Sequence, residues 1–179
     1  MNLAILSDTH GSSDYIRRVV RQIEGCSIDT VIHLGDDYRD ADVFLGRYRL
    51  ERVPGTWGPE YQSNKIENRY FLELMGWRFA LSHTLFPDMR DLPGDIDPTL
   101  MRSKERADVF LHGHTHQPEC VVEDHVLRLN PGHLKQNDHR GYPPTWALVE
   151  LSEDRITVDI IKLLDESVYL HFSKRKSEL

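Results

Sequence analysis

The sequence has little cysteine, no long apolar run and no excess of positive charge, and each shortage removes a class of protein. Cys26 and Cys120 are the only cysteines in 179 residues. Far apart, they make neither a disulfide framework nor a Cys-x-x-Cys metal motif, and they read as reduced thiols. No apolar run approaches the roughly 20 residues that cross a bilayer as a helix. The opening MNLAILSDTH lacks a basic segment and a cleavage site, and it meets an acid at Asp8. It does not read as a secretory signal, so the expected location is the cytoplasm, with no membrane partner. Lys and Arg number 22 against 29 Asp and Glu, a formal charge of −7. A chain with that balance and no basic stripe repels phosphate backbones, so nucleic acid is not an expected partner. The basic tail SKRKSEL is short and reads as a solvated, frayed terminus. Two bound divalent ions would add about +4 in one place.

What is present is ordinary globular material, 39% hydrophobic and 28% charged. The length suits one domain, residues 1–179, with its own core. LAILSDTH begins apolar and ends polar, like a buried strand emptying into a loop. A helix is expected over Tyr15 to Glu24, with Ser13 or Asp14 as cap and Gly25 as stop. Thr30 to Leu34 is a second buried strand, Asp40 to Tyr48 a short helix, and Leu50 to Val53 a third strand. That β-α-β-α-β opening predicts a mostly parallel sheet. Lys65 to Leu74 and Trp77 to Ser82 alternate around Met75-Gly76 and predict a hairpin. A helix over Pro98 to Ala107 and a strand over Asp108 to Leu111 follow. A second hairpin turns at Asp124-His125. Three strands then meander over Thr145 to Leu151, Ile156 to Leu163 and Val168 to Phe172. The loop from His83 to Asp97 is long enough to be functional.

The chemistry gathers where strands end. The first ends at Asp8-Thr9-His10, the second at Gly35-Asp36-Asp37, the hairpin at Ser82-His83, and the strand near 110 at Gly113-His114-Thr115-His116. Ligands of parallel-type sheets bind outside the carboxyl ends of strands. Those four ends deliver the carboxylates of Asp8 and Asp36, with Asp37 beside them, and four histidines, a mixture that suits borderline divalent metals. A lone Asp-x-His or His-x-His is a weak signal; four such ends in one small domain are not. His125, His139 and His171 read as surface or satisfied histidines.

The order DTH, GDD, SHT, GHTH and NPG resembles the calcineurin-like metallophosphoesterase superfamily, and within it the small single-domain bacterial and archaeal phosphodiesterases. The resemblance runs from residue 3 to about 161, and Arg140-Gly141 and Pro144-Thr145-Trp146-Ala147 extend it. It implies two packed sheets flanked by helices, a four-layer α/β/β/α sandwich. It implies that Asp8, His10 and His116 bind one metal, that His83 and His114 bind a second, and that Asp36 bridges them. The implied ions are divalent, Mn2+ first, with Zn2+, Fe2+, Ni2+ and Mg2+ as alternatives. The implied activity is hydrolysis of a phosphate ester, a diester ahead of a monoester, by a hydroxide held between two metals. A small phosphate ester is the expected partner, with self-association left open.

One motif departs from the family's pattern. Its third motif is Gly-Asn followed by His or Cys and then Asp or Glu. The asparagine binds the second metal, and a histidine after it can protonate the leaving group. Here the stretch is GTWGPE. Gly55 fits, Thr56 replaces the asparagine, Trp57 replaces the histidine or cysteine, and Glu60 lies two places past the acid. Threonine is a shorter neutral oxygen donor, able to ligate directly or through water. An indole N–H only donates a hydrogen bond, so this loop supplies no general acid. Glu60 and Asn64 are the alternative ligands, while Asn68 is expected inside a strand. His133 stands where the family commonly has serine and is the candidate for substrate contact or acid. Trp57 is either a packing residue or an apolar wall that stacks on a substrate ring. A working phosphoesterase is expected, with a binding or scaffold protein on the same fold as the alternative.

Overall fold

Leu3, Ala4, Ile5 and Leu6 are all buried, which places the first strand deep in the molecule. The structure, a computed structural model, describes residues 1–179. The strands are β1 (Asn2–Leu6), β2 (Thr30–His33), β3 (Arg49–Arg52), β4 (Arg69–Leu74), β5 (Trp77–Ser82), β6 (Val109–Leu111), β7 (Glu119–Glu123), β8 (Val126–Asn130), β9 (Thr145–Leu151), β10 (Arg155–Lys162) and β11 (Val168–Arg175). They form a six-stranded sheet, ordered β11-β10-β9-β1-β2-β3, and a five-stranded sheet, ordered β4-β5-β6-β8-β7. The β1-β2-β3 and β5-β6-β8 pairings are parallel and the other five are antiparallel. Both sheets are therefore mixed, and the expected mostly parallel sheet is limited to the β1-β2-β3 opening.

Side chains alternate across a strand, so β1 serves two cores. Leu3 and Ile5 face the space between the sheets, with Trp77, Phe79 and Leu81 of β5 and Val109 and Leu111 of β6. Ala4 and Leu6 face outward, against Ile16, Val19, Val20 and Ile23 of helix α1 (Ser13–Glu24) and Phe44. A smaller cluster covers the other sheet: Ala80 and Phe110 under Met101 and Ala107. The result is the expected four-layer α/β/β/α sandwich, with a thin fourth layer.

Several local expectations are corrected. The helix expected over Pro98 to Ala107 is one turn, α2 (Pro98–Met101), begun by Asp97 accepting from the Thr99 amide at 2.8 Å. Beyond it Arg78 takes the Lys104 carbonyl at 2.8 Å, a bond to the sheet rather than along a helix axis. The segment expected over Asp40 to Tyr48 is a 3-10 helix over Tyr38–Phe44, left by an extended Leu45. The hairpin's first strand begins at Arg69, so Asn68 lies just outside it, its amide donating to Asp95 at 2.8 Å. The tail is not frayed. Strand β11 runs to Arg175, Lys176 pairs with Asp108 at 3.2 Å, and Leu179 joins the inter-sheet core.

Candidate metal centre

The four strand ends meet. The Asp8 amide donates to the Gly35 carbonyl at 2.9 Å, and the Gly113 amide donates to that of His83 at 3.0 Å. The His114 amide donates to Asp8 Oδ2 at 3.0 Å, which ties the two sheets together at their rims. Five site residues bend back here with positive φ: Asp8 (52°), His10 (46°), Asp36 (46°), His114 (67°) and His116 (61°). Left-handed backbone costs a non-glycine residue of order 1–3 kcal/mol when packing holds it there, and it gathers at functional sites. These turns break the strand alternation and let residues two apart aim at one point. Backbone crowding is equally local. A Cβ on Gly55 would lie 2.2 Å from Asp36 Oδ1, and one on Gly35 would lie 2.4 Å from His83 Nδ1.

Two donor sets result. In the first, the ligand atoms of Asp8, His10, Asp36 and His116 lie within 4.8 Å of one another. His10 Nε2 is 3.0 Å from Asp36 Oδ2, and His116 Nε2 is 3.3 Å from Asp8 Oδ1. In the second, His83 Nε2 is 3.2 Å from His114 Nδ1 and 3.5 Å from Asp36 Oδ1. Asp36 thus turns one oxygen to each set.

The outer bonds orient these rings. His83 Nδ1 donates to the Leu34 carbonyl at 2.7 Å, leaving the Nε2 lone pair for the site. His116 Nδ1 is 2.7 Å from Asp138 Oδ1, the carboxylate–imidazole pairing that orients metal-binding histidines. Burial holds the His10 and His114 rings below the usual histidine range, in the neutral form a metal needs. Burial also pushes His116 down, but bonds to Asp8 and Asp138 overcome it and raise the ring. Burial pushes the Asp8 carboxyl up, and His116, His83 and Ser7 overcome that and keep it ionised.

The residues of the GTWGPE loop separate. Thr56 is buried beside Gly55, and its Oγ1 has no hydrogen-bond partner. An orphaned buried hydroxyl costs about 1–3 kcal/mol, so the position suits a ligand that supplies the missing contact. Together the orphan hydroxyl, the neutral imidazoles of His10 and His114 and ionised Asp8 fit divalent cations. Glu60 instead pairs with Arg39 at 3.3 Å, and Asn64 is exposed. Neither is brought to the donor sets. Trp57 is exposed, with the Arg90 guanidinium 3.4 Å above its ring.

His133 does not have the geometry of an acid. Its Nδ1 accepts from the Lys135 amide at 3.1 Å, and its Nε2 donates to the Tyr142 carbonyl at 3.1 Å. Both nitrogens are spent, the ring is buried, and burial holds it below the usual histidine range. It stacks on His116, centroid to centroid 5.1 Å. His125 and His139 are exposed, and His171 pairs with Asp159 at 2.6 Å.

Two supporting residues carried no sequence signal. Asp138 lies in an irregular loop with no periodicity. Buried His33, pushed down to about 3 by burial, contacts Thr9 Oγ1 at 3.3 Å, and that hydroxyl donates to the Asp36 carbonyl at 3.0 Å. His33 looks in sequence like any other residue at the end of an apolar strand.

Carboxylate and imidazole donors gathered at the rims of an α/β/β/α sandwich define a metal-binding domain of hydrolase type. The chain belongs to the calcineurin-like phosphoesterase superfamily, whose domain model matches residues 1–154. It is 29% identical over 157 residues to a probable metallophosphoesterase of Mycoplasma pneumoniae, covering 86% of this chain and 91% of that one. Among solved structures, wild-type Vps29 of Entamoeba histolytica complexed with Zn2+ is similar at TM-score 0.70 and 20% identity, covering 98% of this chain and 99% of that one. An archaeal phosphodiesterase is similar at TM-score 0.67 and 22% identity, covering 90% and 100%. At those identities the two structures speak for the fold.

Proposed function

We propose that the chain is a dinuclear metal-dependent phosphodiesterase. The observation that carries this is Asp36, with Oδ2 at 3.0 Å from His10 Nε2 and Oδ1 at 3.5 Å from His83 Nε2. A carboxylate so placed joins two donor sets. In this reading Asp8, His10 and His116 hold one ion, His83 and His114 the other, and Thr56 Oγ1 completes the ligands of the second ion directly or through water. Bound divalent ions would supply an activated water and charge neutralisation for in-line attack at phosphorus. Mn2+ is the first expectation, with Zn2+ close behind given the Zn2+ bound to the Vps29 relative. The protein's own part is positional. Leu34, Asp138 and the stacked His133 lock the imidazoles. No side chain of GTWGPE delivers a proton to the leaving group. The diester preference rests on the likeness to the archaeal phosphodiesterase.

Hydrolysis of bis-p-nitrophenyl phosphate, with and without added Mn2+, tests the reading against a panel of monoesters. Metal-dependent turnover of the diester is expected; no turnover of any ester by metal-loaded protein contradicts it. A second reading has its own observation, the loss of an amide ligand and of any acid at Thr56-Trp57. It makes the chain a binding or scaffold protein that keeps metal but turns nothing over. The same assay separates the two.

A further inference from the structure

The three most exposed large apolar side chains of the molecule are Met89 (91%), Trp57 (75%) and Phe86 (59%). All three sit on the loops that leave β3 and β5, the loops that carry Thr56 and His83. Large exposed apolar side chains on loops beside a polar centre suit a binding surface. Phe86 alone of the three lines a cavity of about 200 Å3, whose other walls are Leu85, Pro87, Asp88, Thr84, Thr115 and, from the metal centre, His114. His114 of the second donor set thus forms part of its wall.

Its walls are held in place. Arg69 is buried and donates to Asp91 at 2.7 Å, to Thr84 Oγ1 at 3.1 Å and to the Ile96 carbonyl at 3.2 Å, pinning the loop on both sides of Phe86. The acid at the rim is neutralised: Asp88 Oδ1 accepts from the Arg90 amide at 2.9 Å and faces its guanidinium at 3.4 Å. That guanidinium also covers Trp57, which joins the two loops across the rim.

We propose that this cavity receives the aromatic group of an aryl-type phosphate ester, with the ring against Phe86 and the phosphate beside His114. The proposal rests on the phosphoesterase reading and names its substrate class. A second feature points the same way. Trp57 supplies no acid and His133 has no free nitrogen, so the leaving group departs without a proton from either. A phenol-like oxygen tolerates this. The P–O(aryl) bond breaks with its electron pair on the aryl oxygen, the water oxygen bonds to phosphorus, and the water's proton goes to solvent. A docked protein is a poorer match, because a specific interface covers about 800 Å2 on each partner and the feature here is a small concavity.

Calorimetry on metal-loaded protein with phenylphosphonate and methylphosphonate tests the subsite apart from turnover. Phenylphosphonate is expected to bind about tenfold tighter, and Phe86→Ala to reduce that preference to about twofold or less with metal content unchanged. Equal binding of the two by the wild type, or a preference that survives Phe86→Ala, overturns the subsite alone. If neither phosphonate binds, the phosphate site is missing, and the phosphoesterase reading falls together with the subsite.

Discussion

His10 and His116 turn their Nε2 atoms toward each other at 3.1 Å. At that separation either one ring donates an N–H to the other or a cation lies between two lone pairs. Asp8 and Asp36 flank the pair at 3.3 and 3.0 Å, so the charge that suits the position is a cation bound by all four. The chain spends backbone strain at Asp8, His10, Asp36 and His116 to reach this arrangement.

Asp138 holds one half of that pair. Its Oδ1 accepts from His116 Nδ1 at 2.7 Å, and its Oδ2 accepts from the Arg140 amide at 2.9 Å. Outer carboxylates of this kind are worth about 10–100-fold in metal affinity. Asp138→Ala is expected to lose that much affinity, read by competition with a chelating dye. Asp138→Asn, which still accepts a hydrogen bond, should recover part of it.

Thr56→Val gives opposite signs in two measurements. Removing an orphaned buried hydroxyl should raise the stability of the metal-free chain by about 1–3 kcal/mol. The same change should weaken the second ion. Thr56→Asn should keep or raise activity. Urea unfolding without metal and ion titration with metal read the two effects separately.

Arg69 organises the long loop after β5. Its side chain is 1% exposed and pairs with Asp91 at 2.7 Å. Arg69→Met removes that partner, but Asp91 is half-buried and keeps the Tyr61 hydroxyl and the Asp88 amide. The cost is therefore that of a charged hydrogen bond, about 1.5–3 kcal/mol. Urea unfolding should show a loss of that size.

Acid should weaken the junction of β5, β6 and the tail. Burial pushes Asp108 up, but bonds from Arg78 and Lys176 overcome it and hold the carboxyl well below its usual value of 3.8. A depressed folded value contributes stability above the unfolded value, and that stability is lost as pH falls through the folded one. Melting temperature should therefore drop below about pH 4. Asp108→Asn should be less stable at neutral pH and show a shallower drop.

Much of this was legible in residue order because its causes are local. β1 and β2 read as apolar runs ending in acids, and the α1 helix shows its buried face at Ile16, Val19, Val20 and Ile23. The motif order brought Asp8, His10, Asp36, His83, His114 and His116 into one expectation, and they converge in space. What escaped depends on contacts distant in sequence. Asp138 meets His116 across 22 residues that include the whole β7-β8 hairpin. Leu179 docks on a core assembled from both sheets, and Lys176 finds Asp108. His133 occupies its expected motif position, yet the role expected of it depends on which atoms its two nitrogens meet.

The central claim is that Asp36 joins two ions. Metal content of protein purified without chelator and reloaded with Mn2+ tests it most directly, with Asp36→Asn measured alongside. The account predicts two ions per chain in the wild type, and in the variant weaker binding at both sites with loss of diester hydrolysis. One ion or none in the wild type, or two ions held with full affinity by Asp36→Asn, would contradict it.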